Sequence, residues 1–299
     1  MTDRRGDRAN EMGLLVVVLI WGLNFAVVKG ALADIPPLAF NALRFPVALI
    51  VVAIMIRATG ARLKLDRKDL LPIIGLGFLG NVVYQVLFIY GLDLTLAGNA
   101  GILLATIPVW TTLLSALVGH ERPTPRFWFA VLGTLLGAVL VVSGGSGDSN
   151  LGAETLTGDL LILAAAACWA VYTVGSRPLA VRYGSLPVTA WTLMVGTIGT
   201  MLVGAPALSS MDWAAVPTRS WFAVVYAGAL AIGVAYALWY HSVRRVGSAR
   251  TAIYGNLVPV IALAGGWALV GEVPNTLQVL GAGTVLGGIT LARASYRRR

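Results

Sequence analysis

Few residues of this sequence could perform acid–base, nucleophilic or metal chemistry. Its only histidines are His120 and His241, and its single cysteine, Cys168, lies in an apolar stretch. The sequence contains no HExxH or CxxC motif and no paired carboxylates within an apolar segment. Enzymatic transfer or hydrolysis needs a nucleophile and a base within hydrogen-bond reach, or a metal cluster. The sequence therefore predicts a protein that is not an enzyme and has no catalytic residue, cofactor or metal site.

One short motif could still suggest a protease. Gly144-Gly145-Ser146-Gly147 matches the G-x-S-G pattern of intramembrane serine proteases. Such a site needs its serine within the membrane and a histidine opposite, whereas this motif precedes the polar stretch DSNLGAETLTGD. A flexible Gly/Ser joint is the better interpretation.

Other polar and aromatic residues lie within apolar segments and could bind a ligand. Tyr84 with Phe88, and Tyr236 with Tyr240, are i,i+4 pairs, so both rings of a pair share one helix face. The predicted substrate-binding residues are Trp21, Asn24, Asn81, Tyr84, Phe88, Trp169, Tyr172, Trp239, Tyr240, Tyr254 and Asn256. Two alternatives remain: Asn24 could hydrogen-bond a neighbouring helix, and Trp and Tyr also form belts at membrane interfaces.

The composition indicates an integral membrane protein. Of 299 residues, 58% are hydrophobic and 12% charged, with a mean hydropathy of +0.81. A soluble domain has about 25% charged residues. The net charge of +9 comes from Lys and Arg in short clusters between apolar runs. That pattern is typical of membrane orientation and not of a surface that binds nucleic acid.

The apolar segments predict an all-α fold of ten transmembrane helices, because about 20 apolar residues cross the hydrocarbon core. The predicted spans are 12–33, 37–56, 70–91, 96–118, 126–143, 158–176, 187–208, 219–241, 248–270 and 275–293. With the N-terminus inside, nearly all of the 22 Lys and Arg are cytoplasmic; Arg219 is external, and Lys29 and Arg44 lie within spans. The positive-inside rule then places both termini in the cytoplasm. We expect a multi-pass protein of the bacterial cytoplasmic (inner) membrane.

The first span also resembles a secretory signal peptide, because Arg4 and Arg5 precede it and Ala31-Leu32-Ala33 ends it. A signal peptide has an apolar core of about 7–15 residues, which is shorter than this stretch. A retained span is therefore favoured.

Similar residues recur at a spacing of about 150 positions. The matches are Pro108 with Pro259, Glu121 with Glu272, and WGLNFAVVK (21–29) with WAVYTVGSR (169–177). Each half holds five spans, so the second half enters the membrane from the opposite face, as in the inverted repeats of secondary transporters. The predicted organisation is a first repeat at 1–145, an external linker at 146–157 and a second repeat at 158–299.

Several of these stretches resemble a known family. WGLNFAVVK, NALRFPVAL (41–49) and the repeated Pro-x12-Glu pattern resemble the EamA-type branch of the drug/metabolite transporter superfamily. The resemblance covers essentially the whole chain. It implies ten helices in two inverted five-helix halves and export of small metabolites. Within that family the chain is similar to the YddG-like exporters of aromatic amino acids.

A second group of residues is predicted to act in gating or as hinges: Pro108, Pro259, Glu121, Glu272 and Lys29. The prolines interrupt helices and either act as hinges or only shape those helices. The glutamates lie beside helix ends and either cap a helix or close a gate. Lys29 either lines the outer mouth, or contacts headgroups or Asp34. Arg44 is expected to brace the fold through backbone carbonyls or an acid such as Asp93.

Two helices are expected to serve as scaffold. Gly133/Gly137 in the fifth span and Gly283/Gly287 in the tenth form GxxxG pairs. Small residues at this spacing mark close helix packing in membranes.

The residues within the spans favour a neutral or zwitterionic substrate. No Asp or Glu lies in the middle of a span, and proton-coupled export of cations depends on such a carboxylate. Sugar phosphates need several deep cations, and only Lys29 and Arg44 are candidates. The predicted function is export of amino acids, bulky apolar or aromatic ones favoured, by a monomer using alternating access. Other metabolites or drugs (a sugar phosphate, a nucleotide sugar or a lipophilic cation) are the alternative.

Overall fold

The computed structural model describes residues 4–117, 125–145, 152–246, 254–255 and 257–296, and every regular element among them is helical. Three of the helical runs contain a π segment, in which the backbone hydrogen bonds skip one extra residue. The π segments are Leu79–Val83, Tyr226–Val234 and Gly266–Val270.

The α-helices are numbered in chain order. The first part of the chain holds α1 (Arg4–Leu32), α2 (Pro37–Thr59), α3 (Leu70–Phe78), α4 (Tyr84–Leu94), α5 (Ala97–Leu104), α6 (Ile107–Leu117) and α7 (Pro125–Gly145). The second part holds α8 (Gly152–Tyr183), α9 (Ser185–Ser210), α10 (Thr218–Val225), α11 (Ala235–Val246), α12 (Val258–Gly265) and α13 (Thr276–Tyr296). A 3₁₀ turn at Arg67–Asp69 leads into α3.

Each predicted span contains helix, but the boundaries differ from those expected. Among the described residues, 6 helical runs are long and apolar enough to cross a membrane, and three shorter apolar helices cover 97–111, 128–141 and 258–270. The fourth span, in which Pro108 was predicted to interrupt the helix, is broken at Ala105 and Thr106. The predicted linker at 146–157 is helical from residue 152 onward, because α8 begins at Gly152.

The outer surface of the bundle is far more apolar than that of a soluble protein, and its interior also holds polar groups. The exposed residues include Leu15, Ile50, Leu71, Phe129 and Leu202, each between 40% and 77% exposed. The buried residues include Asn41, Arg44, Asn81, Gln85, Asn99 and Asp159, each exposed by 3% or less. Exposed apolar surface on this scale marks contact with a membrane. Polar groups therefore lie among the apolar side chains inside the bundle, while the exposed surface is apolar, as a membrane-spanning protein requires.

Local sequence explains two of the places where the chain leaves one helix and turns back into the next. Pro37 begins α2, where a missing backbone N–H costs nothing. At its other end Gly60 adopts a φ of 65° and donates its N–H to the Ile56 carbonyl, the left-handed cap that glycine adopts without strain. Gly184, with a φ of 91°, separates α8 from α9.

α7 and α13 pack closely together, as expected of scaffold helices. A Cβ added to Gly137 would lie 2.7 Å from the Val285 backbone nitrogen. The partner glycines on α13 are Gly281 and Gly288, whereas Gly283 and Gly287 have open space around their α-carbons. The prediction that Gly283 and Gly287 form this contact is therefore wrong, because the helix presents a different face to α7.

The two halves of the chain make reciprocal contacts. α9 packs on the π segment Leu79–Val83, where a Cβ added to Gly196 would lie 2.3 Å from the Asn81 Cβ. α2 packs on the π segment Tyr226–Val234, where a Cβ added to Gly228 would lie 2.4 Å from the Arg44 carbonyl oxygen. Likewise, α1 packs against α12, and α8 packs against α5 and α6.

Candidate functional site

Nine aromatic side chains from both halves of the chain form a connected set of ring contacts. We call it the aromatic cluster, and its members are Trp21, Phe25, Tyr84, Phe88, Trp169, Tyr172, Tyr236, Trp239 and Tyr240. Trp169 is central: its ring centroid lies 4.9 Å from that of Tyr84, 5.3 Å from that of Tyr172 and 5.3 Å from that of Tyr236. These separations are within the favourable range for aromatic pairs.

The cluster is built by four helices that are distant in sequence: α1, α4, α8 and α11. Tyr84 and Phe88 stack on α4 with centroids 5.9 Å apart, and Tyr236 and Tyr240 meet edge-to-face on α11 at 6.5 Å. Both pairs follow directly after a π segment. A π segment shifts the register of the residues that follow, and such segments are frequent at functional sites.

Trp21 joins α1 to the second half of the chain. Its ring lies 4.9 Å from that of Trp239 and 6.2 Å from that of Tyr236. Its indole N–H donates to the Ala231 carbonyl at 2.8 Å, within a π segment. Trp21 is therefore held in one orientation by a polar bond and two ring contacts.

Several buried oxygens in or beside the cluster have no hydrogen-bond donor. The side-chain oxygens of Asn24 and Asn81 and the hydroxyl of Tyr240 make no hydrogen bond of ordinary geometry with the described residues, although the Tyr172 hydroxyl lies near Asn81 and Tyr240. Asn81 donates its amide to the Thr192 carbonyl at 3.3 Å, and the Tyr172 hydroxyl lies 3.0 Å from the Thr192 hydroxyl. Because a buried unpaired oxygen costs about 1–3 kcal/mol, these atoms mark places where a ligand could donate.

Arg44 lies beside the cluster and is completely enclosed. Its Nε donates to the Asn41 side-chain oxygen at 3.0 Å, and its Nη2 donates to the Gln85 side-chain oxygen at 2.7 Å. The guanidinium carbon lies 5.5 Å from the Phe40 ring centre and 5.7 Å from that of Phe88. The expected brace is present, but it uses side-chain amides. Neither Asp93 nor any other carboxylate among the described residues forms a salt bridge with Arg44.

Three of the predicted site residues lie elsewhere or outside the described residues. Tyr254 is near Glu11 and makes none of the ring contacts recorded for the described residues. Asn256 and Glu121 lie outside the described residues, so their predicted roles stay predictions. Pro108 falls in the first turn of α6, directly after the break in the fourth span, and Pro259 falls in the first turn of α12.

The predicted substrate-binding residues leave out four that lie in or beside the cluster: Phe25, Arg44, Gln85 and Tyr236. Tyr236 was recognised as sharing a helix face with Tyr240 but was not assigned to the site. Arg44 was expected to brace the fold through backbone carbonyls or an acid such as Asp93. Its enclosure among rings and amides depends on contacts between distant helices.

Comparisons with known proteins identify the family to which this fold belongs. The sequence matches the EamA-like transporter family over residues 10–143 and 156–294. The chain belongs to that family. The predicted resemblance is thereby confirmed, together with the all-helical membrane architecture and a general transporter function.

Similar proteins include both named and uncharacterized transporters. A probable terminal-alkyne amino-acid exporter of Streptantibioticus cattleyicolor is 30% identical over 96% of this chain and 94% of its own length. The uncharacterized transporter YdfC of Bacillus subtilis is 30% identical over 92% of this chain and 87% of its own. A crystal structure with 22% identity matches 97% of this chain and 98% of its own, with a TM-score of 0.68, and so shares the fold.

This EamA-like transporter also contains a second buried polar region, at the end of the bundle predicted to face outward. We call it the Asp159 network. The Asp159 carboxylate, fully enclosed, accepts from Thr95 and Asn99. Asn99 in turn accepts from Gln278 at 2.7 Å. Gln278 and Asn275 bond each other's backbone N–H groups at 2.8 and 3.0 Å, which forms a capping box at the start of α13.

The predicted gating residues Glu272 and Lys29 lie near this network. The Glu272 carboxylate accepts from the Ala97 and Gly98 backbone N–H groups at 3.1 and 3.4 Å, so it caps the N-terminus of α5. A negative charge is favourable there because of the helix dipole. Lys29 donates to the Asp93 carbonyl.

The alternative that Lys29 pairs with Asp34 is wrong. Asp34 instead binds Arg219 at 3.2 Å and Ser220 at 2.6 Å. The two hydrogen bonds, from Arg219 first and Ser220 second, hold the pKa of Asp34 below its ordinary value of 3.8.

Proposed function

We propose that this chain is a secondary transporter that exports small amphipathic metabolites by alternating access. Amino acids, with bulky apolar or aromatic side chains favoured, are the proposed substrates. The observation that carries the proposal is the aromatic cluster, whose rings come from four helices and whose neighbouring oxygens lack donors. Rings can stack on an aromatic or thioether side chain, and amide oxygens can accept hydrogen bonds from an ammonium group.

The name of one relative supports this substrate class. That protein is described as a probable exporter of a terminal-alkyne amino acid, and it is similar to this chain over nearly the full length of both. In an amino acid with an apolar side chain, that side chain could pack on the rings of the cluster, and the ammonium group could donate to the unpaired oxygens.

The reciprocal contacts support ten transmembrane helices arranged as two inverted five-helix repeats. Exchanging the halves turns the contact of α2 with one π segment into the contact of α9 with the other. It also turns the α1–α12 contact into the contact of α8 with α5 and α6. Substrate sites of inverted-repeat transporters lie near the midplane between the halves, which is the proposed position of the aromatic cluster.

The breaks beside Pro108 and Pro259 are the proposed hinges for rocking of the two halves. Each proline stands in the first turn of a helix segment, where it interrupts the run without leaving an unpaired N–H inside the helix. Facilitated diffusion down a concentration gradient is the simplest form of coupling for such a carrier.

The proposed location is the bacterial cytoplasmic membrane, with the protein as a monomer and both termini in the cytoplasm. An epitope tag at each end should be inaccessible to antibody in intact spheroplasts and accessible after permeabilisation. A tag detected from outside at either terminus would contradict this topology.

Transport by the purified protein in proteoliposomes tests the substrate class. We expect uptake of radiolabelled L-phenylalanine driven by an outward gradient of unlabelled phenylalanine inside the vesicles. Glucose 6-phosphate and tetraphenylphosphonium should not exchange. Exchange of either of these compounds without phenylalanine would mean that the protein belongs to another substrate class.

Trp169→Ala tests whether the cluster is the site. Because one aromatic contact is worth about 0.5–1.5 kcal/mol beyond its buried area, we expect roughly tenfold slower exchange at equal protein content. Trp213→Ala is the matched control. Trp213 lies in the loop before α10 and stacks on Trp221 of α10, with ring centroids 6.0 Å apart. Equal exchange by both variants would place the substrate elsewhere.

A further inference from the structure

Arg44 is a buried cation without a counter-ion. It is 2% exposed, and no carboxylate among the described residues forms a salt bridge with it. The titratable side chains near it are those of Tyr84 and Tyr236, and a protonated phenol carries no charge. A charge within a membrane is costly and usually marks a functional site. The brace to Asn41 and Gln85 holds Arg44 in place but supplies no negative charge.

The brace orients the guanidinium and leaves part of it unused. Arginine has five N–H donors in a fixed plane, and two acceptors are recorded for Arg44, on Asn41 and Gln85. Asn41 is itself fixed, because its amide donates to the Gln85 carbonyl at 2.9 Å. The Phe40 and Phe88 rings flank the guanidinium carbon at 5.5 and 5.7 Å. No Nη1 hydrogen bond is recorded among the described residues, so that edge can still bind an oxyanion.

The unpaired atoms near the cluster are oxygens that can accept hydrogen bonds, whereas the free edge of Arg44 donates them. Asn24 and Asn81 each present a side-chain oxygen that lacks a donor, and Tyr240 presents an unpaired hydroxyl. Arg44 offers donors and a positive charge, whereas the two amide oxygens can only accept. A molecule that carries both a carboxylate and an ammonium group would satisfy both sets.

We propose that Arg44 binds the carboxylate of the transported substrate, so that the site selects amphipathic molecules with a free carboxylate. This inference rests on the proposed function, because it assigns the recognition of the substrate's anionic group within the same site. The apolar side chain of the substrate then lies among the rings of Tyr84, Trp169 and Tyr236. Lipophilic amines are excluded because they would approach an uncompensated positive charge.

Gln85→Glu separates this role from a purely structural one. The new carboxylate would stand where the Gln85 oxygen now accepts from Nη2 at 2.7 Å, so it would strengthen the brace while neutralising Arg44. A hydrogen bond to a charged group is worth about 1.5–3 kcal/mol. We therefore expect the apparent affinity for phenylalanine to fall roughly 10- to 100-fold, with no loss of thermal stability.

Gln85→Leu is the matched control because it removes the brace without adding a charge. We expect a smaller loss of affinity than in Gln85→Glu, even if the melting temperature in detergent falls. Arg57→Gln controls for removal of a cation from the same helix, since Arg57 is exposed in the last turn of α2. Unchanged affinity in Gln85→Glu, or an equal loss in the Glu and Leu variants, would overturn the assignment of Arg44.

Analogues of phenylalanine that lack its carboxylate complete the test. In competition with labelled phenylalanine, phenylalaninamide and 2-phenylethylamine should be much weaker than phenylalanine for the wild type. Equal competition by the amide would overturn the inference while leaving amino-acid export intact.

3-Phenylpropionate tests Arg44 directly, because it has a carboxylate and no ammonium group. It should raise the melting temperature of the wild type and not that of Gln85→Glu. If that stabilisation occurs but no amino acid exchanges, the proposed function fails and the carboxylate assignment stands. If 3-phenylpropionate has no effect on the wild type, the carboxylate assignment fails whatever the transport result.

Discussion

The aromatic cluster and the Asp159 network are both buried between helices, but their polar atoms are in opposite conditions. In the Asp159 network, Asp159, Asn99 and Gln278 accept or donate to one another or to the backbone. Around the aromatic cluster, oxygens of Asn24 and Tyr240 have no donor among the described residues. One region is complete without a ligand and the other is not.

The difference indicates distinct roles. A fully paired polar network rigidifies a bundle and joins its helices in one arrangement. Buried unpaired groups are rare in native proteins and call for a reason, and a role in binding provides one. We therefore interpret the Asp159 network as a fastening of helix ends, and the aromatic cluster as the place where the substrate binds. Substitutions in the two regions should affect different measurements.

The largest effect is expected from Asp159→Leu, which should lower stability and leave substrate affinity unchanged. The substitution strands the Thr95 hydroxyl and the Asn99 amide inside the bundle. Each buried unpaired group costs about 1–3 kcal/mol, so a clear drop in melting temperature should be seen by scanning fluorimetry in detergent. Asp212→Leu, at an exposed loop carboxylate, is the control and should have little effect.

That comparison would break down if Asp159→Leu retained its melting temperature and lost phenylalanine affinity. Such a result would make Asp159 part of the binding site. It would also remove the distinction between a complete and an incomplete polar region.

Tyr240→Phe should instead lower substrate affinity and leave stability unchanged, and its effect should be smaller than that of Asp159→Leu. The hydroxyl lies near Tyr172 and Ser176 but has no hydrogen-bond partner of ordinary geometry. Its removal should leave the melting temperature unchanged or slightly higher, because an unpaired buried group is lost. Affinity for phenylalanine should fall about tenfold, equivalent to about 1.4 kcal/mol, if the substrate binds this hydroxyl.

Tyr172→Phe is the matched control for Tyr240→Phe, since the Tyr172 hydroxyl already has Thr192 as a partner at 3.0 Å. This control should lose stability. A stability loss in Tyr240→Phe with unchanged affinity would show that the Tyr240 hydroxyl is structural.

The smallest effect concerns the surface pair of Asp34 and Arg219, which lies outside both buried regions. Because the pKa of Asp34 is lowered in the folded protein, its contribution to stability is present above its ordinary value of 3.8 and is lost as the pH falls through the folded pKa. The melting-temperature difference between the wild type and Asp34→Asn should therefore vanish in acid. A difference that persists well below pH 3.8 would contradict this source.

Much of the candidate site could be predicted from local patterns. The i,i+4 spacing of Tyr84 with Phe88 placed both rings on one face, and the structure brings them into the aromatic cluster. The partners that side chains find on other helices were harder to predict. A pair of Lys29 with Asp34 was one of the alternatives considered, but Asp34 binds Arg219, which is far along the chain. Gly283 and Gly287 had the right spacing but lie on the wrong face of α13.

By itself, the sequence determined a helical membrane protein of the EamA-like family, and it indicated which aromatic residues share a helix face. These properties depend on apolar length, charge position and helical period, which are local. Only the tertiary structure decided that Arg44 has amide partners and no counter-ion, and that the Asp159 network is complete while the aromatic cluster is not. Hydrogen-bond partners such as Gln278 and Asn99 come from helices far apart in the chain, so helix rotation and packing determine which polar atoms meet.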